Sequence, residues 1–236
     1  MIVSLPGDRR GHVNAGWLDS RHSFSFGQYH DPAWMGFGAL RVINEDRVAP
    51  GAGFAPHRHA NMEILSYVID GALAHRDNTG GEGVIRQGEL QWMSAGHGIE
   101  HSEYNASQTA PVHFLQIWIQ PDRVNAAPAH AQRAFDPDAR RGLWATLASP
   151  DGVDGSLAIR QRAWLRGAQL ADGELVRISP DPARRYWLQV VQGAVGVRGT
   201  RLLAGDALGL VEESQPLDIV GHGAAIADVL LFDLPG

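Results

Sequence analysis

Four side chains of types that commonly bind metal ions occur in two short stretches of this sequence. His57 and His59 are two residues apart in the first stretch, and His101 and Glu103 are two residues apart in the second. Residues at this spacing on a β-strand point to the same face, so each pair would present both side chains together. Imidazole and carboxylate suit a divalent transition metal, with iron, nickel, copper, manganese and zinc all admissible. We therefore predict that two neighbouring strands hold one ion between them.

Glu63 offers a second carboxylate to the same site. It follows His59 by four residues in the run HRHANMEILSYVID, which begins at His57. If this run is one extended strand, Glu63 points to the same face as the two histidines. A single histidine is usually a hydrogen-bonded structural residue, whereas histidines clustered with carboxylates indicate a metal site. From the residues alone, either Glu63 or Glu103 could supply the carboxylate ligand.

The strands that position these residues are predicted from local pattern. An apolar, β-branched run covers Ile64–Ile69 and ends at Asp70-Gly71, which is a strong hairpin signal. We expect residues 72–76 to return antiparallel beside this run. The chain has 28 glycines and 13 prolines among 236 residues, which favours many turns and an all-β architecture.

The strand pattern is interrupted once and then repeats. Residues 126–150 are rich in proline and alanine and have few β-branched residues, which is typical of a linker. Beyond it, Tyr186–Gly193 and Gly205–Leu208 repeat the strand-and-turn rhythm of the first half, but no His-x-His motif precedes them. We predict an N-terminal unit at 1–125 with the metal site, a linker that wraps the surface, and a metal-free C-terminal unit at 151–236.

Two further segments near the predicted site allow more than one interpretation. Residues 8–36 include aromatic side chains such as Trp17 and Phe26, which could form a pocket wall or an arm packed against the barrel. Because aromatic residues chiefly supply buried area, we expect the arm. In the strand 112–120, the pattern does not indicate which face sees the pocket. His113 on this strand has no partner at ligand spacing, so we interpret it as structural.

Composition excludes several classes of function. The chain has no cysteine, so it has no disulfide, thiolate metal site or cysteine nucleophile. All 20 basic residues are arginine, which excludes Schiff-base chemistry and the P-loop lysine. The net charge is −6 without basic clusters, which disfavours nucleic acid as a direct ligand. With no signal peptide and no apolar run of membrane-spanning length, we expect a soluble cytoplasmic protein.

The two ligand stretches also resemble the cupin motifs. The first reads Gly51-(x5)-His57-x-His59-(x3)-Glu63-(x7)-Gly71, and the second reads Gly88-(x5)-Ser94-x-Gly96-(x4)-His101-(x3)-Asn105. They depart from the usual motifs by one additional residue before the last glycine of the first, and by serine for proline and a longer gap in the second. More specifically, four ordered blocks resemble the pirin family, closely over residues 11 to 120: GWLDSRHSFSFGQY, MGFGALRVINEDRV, HRHANMEILSYVIDG and LQWMSAGHGIEHSEYN.

The resemblance to pirins implies a fold and a ligand set. The fold is two tandem cupin β-barrels of the jelly-roll type, the N-terminal one metal-binding and the C-terminal one degenerate. The implied ligands of one divalent transition metal per chain are His57, His59, His101 and Glu103. Fe(II) is favoured, and Ni, Co, Mn, Cu or Zn is admissible. Glu63 then becomes an alternate ligand or a group that orients a ligand histidine through its free ring nitrogen.

The resemblance also implies the quercetin 2,3-dioxygenase activity of bacterial pirins. A flavonol coordinates the metal through its 3-hydroxyl, O2 adds, and the heterocycle opens with loss of carbon monoxide. In this role Glu103 accepts the proton of the flavonol as well as binding the ion. The expected partners are a small flavonol-like aromatic substrate and O2, without direct nucleic-acid or membrane binding, and the chain is expected to be a monomer.

Two other classes of function compete with this one. Some pirins are described as partners of transcription factors or metabolic enzymes, with the metal acting as a redox sensor and no turnover. A storage-like cupin would use its ion only to stabilise the fold. Turnover of flavonols distinguishes the enzyme from both, and a redox-dependent change in the affinity for a protein partner would identify the sensor.

Overall fold

The structure, a computed structural model, describes residues 1–236. Its regular elements are 22 β-strands and three 3₁₀ helices of one turn each. No helical segment has the length and apolar character that a bilayer crossing would need. The all-β class predicted from the turn-rich sequence is confirmed.

The strands of the first half are β1 (Ile2–Leu5), β2 (Gly11–Asn14), β3 (Leu18–His22), β4 (Leu40–Val48), β5 (Gly53–His59), β6 (Glu63–Asp70), β7 (Ala72–Asp77), β8 (Glu82–Arg86), β9 (Glu89–Ser94), β10 (Ile99–Asn105), β11 (Val112–Ile119) and β12 (Ala129–Ala134). Those of the second half are β13 (Ala145–Ser149), β14 (Leu157–Ala158), β15 (Trp164–Leu170), β16 (Leu175–Ile178), β17 (Arg184–Gln192), β18 (Ala194–Val197), β19 (Thr200–Leu203), β20 (Ala207–Val211), β21 (Leu217–Gly221) and β22 (Ala227–Pro235). The 3₁₀ helices cover Gly7–Arg9, Asp138–Arg140 and Val153–Gly155.

The chain divides into two compact units. The N-terminal unit contains Gly11–Phe135 and Ile159–Gln161. The C-terminal unit contains Met1–Arg10, Asp136–Ala158 and Arg162–Gly236.

These units differ from the predicted bounds of 1–125 and 151–236. Strand β1 pairs antiparallel with β20, so the first residues of the chain belong to the C-terminal unit. The predicted linker 126–150 is partly strand, because β12 pairs with β9 and β13 pairs with β15. Strand pairing is made by backbone hydrogen bonds, which every residue type except proline can donate. A segment with few β-branched residues can therefore still form strands.

The N-terminal unit consists of two antiparallel sheets. The seven-stranded sheet has the order β12-β9-β6-β11-β4-β3-β2, and the four-stranded sheet has the order β5-β10-β7-β8. Apolar side chains from both sheets form one buried cluster: Val48, Val68, Leu73, Ile85, Val112 and Phe114. The core of this unit therefore lies between its two sheets, as expected when each sheet has one apolar face.

The C-terminal unit repeats this arrangement. Its seven-stranded sheet has the order β1-β20-β17-β22-β15-β13-β14, and its four-stranded sheet has the order β16-β21-β18-β19. Both sheets contribute to one core cluster, with Leu188 and Val229 from the larger sheet and Val195 and Ile219 from the smaller. The repeated strand-and-turn rhythm of the sequence thus corresponds to two units with the same numbers of strands.

The turn predicted at Asp70-Gly71 is present, but the predicted hairpin is wrong. Gly71 has a φ of 79°, and a Cβ at this position would lie 2.9 Å from the carbonyl oxygen of Pro111, so the turn requires glycine. Strand β6 pairs with β9 and β11, whereas β7 pairs with β8 and β10. Both edges of β6 are thus occupied, and the turn carries the chain from the seven-stranded to the four-stranded sheet.

Candidate metal centre

Three histidines converge on adjacent strands of the four-stranded sheet. His57 and His59 lie on β5, and His101 lies on β10 directly opposite His57. The imidazole centroids of His57 and His101 are 4.5 Å apart, those of His57 and His59 4.8 Å, and those of His59 and His101 4.9 Å. One potential ligand nitrogen from each ring lies within 4.8 Å of the other two. The strand pairing brings together residues that are more than forty positions apart in the sequence.

An irregular pairing between the two strands sets the position of Glu103. His101 faces His57, but Glu103 faces Phe54, so β5 has one more residue than β10 between these pairs. Such a β-bulge re-aims the side chains around it, and Pro56 fits there because it has no backbone N–H to donate. Glu103 therefore follows His101 on the same strand without facing a histidine of β5.

Burial favours the neutral, metal-binding form of two of the three histidines. Burial, with smaller contributions from His101 and His57, lowers the pKa of His59 to about 3. Burial and the neighbouring His57 lower the pKa of His101 to about 3 as well. The Nδ1 atom of His57 lies 2.8 Å from the carbonyl oxygen of Ala55 and donates to it, which leaves Nε2 as the nitrogen that can bind a metal ion.

The buried nitrogen of His101 provides a test of whether these residues fit a metal ion. Its Nε2 atom is buried and has no hydrogen-bond partner. An unpaired buried polar atom is unfavourable, and such atoms in a folded protein are few. Here the atom belongs to the one group of three or more metal-binding side chains in the structure. Three converging imidazoles fit a divalent transition metal, and they do not distinguish among iron, nickel, cobalt, manganese, copper and zinc.

Glu103 lies beside this group and is held by two hydrogen bonds. Ser66 donates from Oγ to Oε1 of Glu103 at 3.1 Å, and Gln116 donates from Nε2 to Oε2 at 2.8 Å. Burial raises the pKa of the carboxyl, while Gln116, His57 and Ser66 act in the opposite direction. Glu103 is outside the three-histidine group, but it lines the same cavity as His57 and His59. Each carboxylate oxygen can accept more than one bond, so both retain capacity for a metal or a proton.

The expectation that Glu63 orients a ligand histidine is wrong. Strand β5 ends at His59 and β6 begins at Glu63, with Asn61 between them at a φ of 52°. The face alternation of an extended strand therefore does not continue from the histidines to Glu63. The buried carboxylate instead accepts hydrogen bonds from Trp92 Nε1 at 2.7 Å, Ser94 Oγ at 2.5 Å and the backbone N–H of Arg160 at 2.9 Å. Glu63 connects strands and a loop of the N-terminal unit and has no hydrogen bond to a histidine.

A cavity of about 660 Å³ opens onto the candidate metal centre. Its volume falls within the usual range for small-molecule sites. His57, His59 and Glu103 line it together with the aromatic side chains Trp17, Phe26, Phe54 and Trp118. The ring of Trp118 meets the imidazole of His59 edge to face at a centroid distance of 4.8 Å. The site can therefore accept a flat, largely apolar molecule next to the histidines.

The wall of this cavity includes the aromatic N-terminal segment. We expected an arm, but Trp17 and Phe26 line the cavity. The reason is that β3 pairs with β4 inside the seven-stranded sheet, which places this segment at the cavity. On β11, Gln116 and Trp118 face the cavity, while His113 binds Oε1 of Glu45 through Nε2 at 2.8 Å. This pairing agrees with the structural interpretation of His113.

Sequence reasoning misses several buried polar residues of the cavity. Ser20, Asn44, Asp46 and Gln116 all line it and are all buried. Burial raises the pKa of Asp46 to about 7; a hydrogen bond from Ser20 lowers it, and the charges of Glu103 and Glu45 raise it further. A signal for this group exists in β4, where Asn44 and Asp46 are two residues apart and therefore point to the same face of the strand. The partner strands that complete the group could not be identified from that pattern.

Comparison with known proteins gives matches over nearly the whole chain. The family model described as Pirin matches residues 7–119, and the model described as Quercetinase C-terminal cupin domain matches residues 146–234. A protein named quercetin 2,3-dioxygenase from Escherichia coli strain K12 is 46% identical over 100% of this chain and 99% of its own length.

Two solved structures show the same fold. The crystal structure of YhhW from Escherichia coli matches with a TM-score of 0.94 and 43% identity, covering 100% of this chain and 98% of that one. The bacterial pirin YhhW in complex with nickel(II) matches with a TM-score of 0.93 and 42% identity, covering 100% and 99%. The family-model match, the full-length relative and the structural match agree, and the chain belongs to the pirin family.

Proposed function

We propose that this chain is a metal-dependent quercetin 2,3-dioxygenase, which cleaves a flavonol with O2 and releases carbon monoxide. The observation that carries the proposal is the opening of the three-histidine cluster, through His57 and His59, onto an aromatic-lined cavity of about 660 Å³. The volume and walls suit a planar polyphenol. The name of the Escherichia coli relative that is 46% identical over the full chain supports the same activity.

In this proposal, His57, His59, His101 and Glu103 hold one metal ion per chain. The lowered pKa values of His59 and His101 keep these two imidazoles neutral near pH 7. We propose Fe(II) as the ion in the cell, with nickel as an alternative because the pirin YhhW has been solved with nickel(II). Sets of histidine and carboxylate ligands accept several first-row metals, and availability decides among them.

Glu103 is proposed to take the proton of the flavonol 3-hydroxyl. When bound, the ion supplies a Lewis acid that lowers the pKa of this hydroxyl. Glu103 has a property of the accepting base, because burial raises its pKa and so increases its affinity for a proton. Ser66 and Gln116 each bind one carboxylate oxygen and fix the orientation of Glu103.

The aromatic wall is proposed to orient the flat rings of the substrate and to exclude water. Phe54 and Trp118 lie on either side of the histidine pair, with Phe54 6.4 Å from His57 and Trp118 4.8 Å from His59 between ring centroids. Aromatic rings that stack on a planar substrate restrict its orientation, and a bound substrate that displaces water strengthens the electrostatic interactions in the cavity.

The test is carbon monoxide release from quercetin by protein reconstituted with one metal at a time. We expect carbon monoxide and oxygen uptake with quercetin, and neither product signal nor oxygen uptake with a flavone that lacks the 3-hydroxyl. His57→Ala should abolish both, whereas His113→Gln, which alters a histidine bonded to Glu45, should retain them. Absence of carbon monoxide with all of iron, nickel, cobalt, manganese and copper would rule out the proposed activity.

A further inference from the structure

Two cross-strand pairs of polar residues form part of the cavity wall that the metal centre does not use. Ser20 on β3 lies opposite Asp46 on β4, and His22 on β3 lies opposite Asn44 on β4. All four side chains are buried, and all four line the cavity. We call these four residues the polar wall.

Hydrogen bonds within the polar wall leave one carboxylate oxygen available. Ser20 donates from Oγ to Oδ1 of Asp46 at 2.5 Å, and Nδ1 of His22 lies 2.7 Å from Oδ1 of Asn44. Ser20 is the side chain that donates to the Asp46 carboxyl, so its other oxygen, Oδ2, remains available to a ligand in the cavity that Asp46 lines.

The alternation of β4 makes Asp46 unlike its neighbour Glu45. The two residues point to opposite faces of the strand, and Glu45 is satisfied by His113 and Arg47. Asp46 instead faces a cavity whose walls include the rings of Trp17, Phe26, Phe54 and Trp118. Glu103 is the other acid of this cavity wall, and a polar group placed among aromatic walls can fix the orientation of a ligand.

The chemistry of the polar wall selects a ligand group. A phenolic hydroxyl both donates and accepts, so it can bind the carboxyl of Asp46 in either protonation state. The flat aromatic walls require that this hydroxyl be carried on a planar ring.

We propose that Asp46, held by Ser20 and flanked by His22 and Asn44, binds a phenolic hydroxyl of the substrate other than the one at the metal centre. Asp46 is then a specificity-determining residue, and the enzyme selects polyhydroxylated aromatic substrates over analogues that carry only the reacting hydroxyl. This inference rests on the proposed dioxygenase function and adds a substrate class to it.

The test compares two flavonols on the same protein preparation. Quercetin and 3-hydroxyflavone share the reacting 3-hydroxyl, but only quercetin carries further hydroxyls. The ratio of their kcat/KM values is independent of metal loading and of the folded fraction, since both cancel. We expect the wild type to prefer quercetin, and Asp46→Leu to reduce this preference by about 10-fold or more, as loss of a hydrogen bond to a charged or polar group does. Ser20→Ala keeps Asp46 but removes the hydrogen bond that Asp46 accepts from Ser20. This substitution should reduce the preference for quercetin by a smaller factor.

Glu45→Gln is the matched control, because it changes an acid one position away on the other face of β4. Its ratio should equal that of the wild type. Equal kcat/KM values for the two flavonols with the wild type, or an unchanged ratio in Asp46→Leu, would overturn the inference.

A binding measurement separates failure of this inference from failure of the proposed function. If the wild type releases no carbon monoxide from either flavonol, the same two compounds are titrated while tryptophan emission is followed, since Trp17 and Trp118 line the cavity. We then expect quercetin to bind about 10-fold more tightly than 3-hydroxyflavone to the wild type and with similar affinity to Asp46→Leu. Equal affinities of the wild type for both compounds, or no binding of either, would refute the role of Asp46.

Discussion

His57 and His101 face each other directly across β5 and β10, with their imidazole centroids 4.5 Å apart. This pair is the centre of the candidate metal site, because His59 reaches the same point from two residues along β5. Removing either partner of the pair should remove the ion.

The first prediction is that His57→Ala, His59→Ala and His101→Ala each lose bound metal. Each substitution removes one of three converging nitrogens, and a site with fewer ligands holds a divalent transition metal poorly. Elemental analysis of the purified variants measures the result, and His113→Gln serves as the histidine control. Stoichiometric metal in all three variants would show that the ion binds elsewhere.

The second prediction concerns stoichiometry and stability. We propose that the C-terminal unit binds no ion, so metal content should saturate at one ion per chain. Metal present at a hundred times its dissociation constant contributes about 2.7 kcal/mol to stability, so chelation should lower the melting temperature. Titration with metal and thermal unfolding with and without chelator measure these two quantities. Two ions per chain would contradict the assignment, and an unchanged melting curve would mean that the ion is weakly held.

The third prediction is that Glu63→Gln destabilises the protein without removing the ion. Glu63 is buried and accepts three hydrogen bonds, so loss of its charge weakens each of them and should cost about 2–4 kcal/mol. The melting temperature should fall, and metal per folded chain should remain at one. Loss of metal at an unchanged melting temperature would show that Glu63 is a metal ligand.

The fourth prediction is that Asp46→Asn stabilises the metal-free protein at high pH. The pKa of Asp46 is about 7 in the folded protein and 3.8 ordinarily. The folded state therefore binds more protons than the unfolded state between these values, and Asp46 lowers stability as the pH rises through this window. Asparagine removes that effect, so the variant should be more stable by about 2–4 kcal/mol at about pH 8 and no more stable near pH 4.

Thermal unfolding across this pH range measures the difference. Glu45→Gln is the control, and its gain should be smaller because it removes only the charge of Glu45 that raises the pKa of Asp46. A variant less stable than the wild type at pH 8 would mean that Asp46 is ionised and satisfied in the folded protein. The same difference in stability is what the wild-type protein loses at high pH by having an acid in the cavity wall. Residues of binding sites often reduce stability in this way.

The sequence by itself determined the all-β class, the repeat and the chemistry of the site. Turn-forming residues and short β-branched runs act locally, so 28 glycines and 13 prolines predict strands and turns without knowledge of their pairing. The two-residue spacing of His57 and His59 likewise fixes a shared face, because alternation is a property of one extended strand. Both features depend on neighbours in the sequence only.

Only the tertiary structure decided which strands are partners. Asp70-Gly71 makes the predicted turn, but β6 already pairs with β9 and β11, so β7 joins the other sheet. Glu63 does not share a strand face with the histidines, because the chain turns at Asn61 before β6 begins. The strand pattern of the sequence does not reveal this turn. Ser20 and Asp46 are 26 residues apart in the sequence and lie opposite each other on β3 and β4. The order of strands that pairs them depends on how the two sheets of the unit bury their apolar faces against each other.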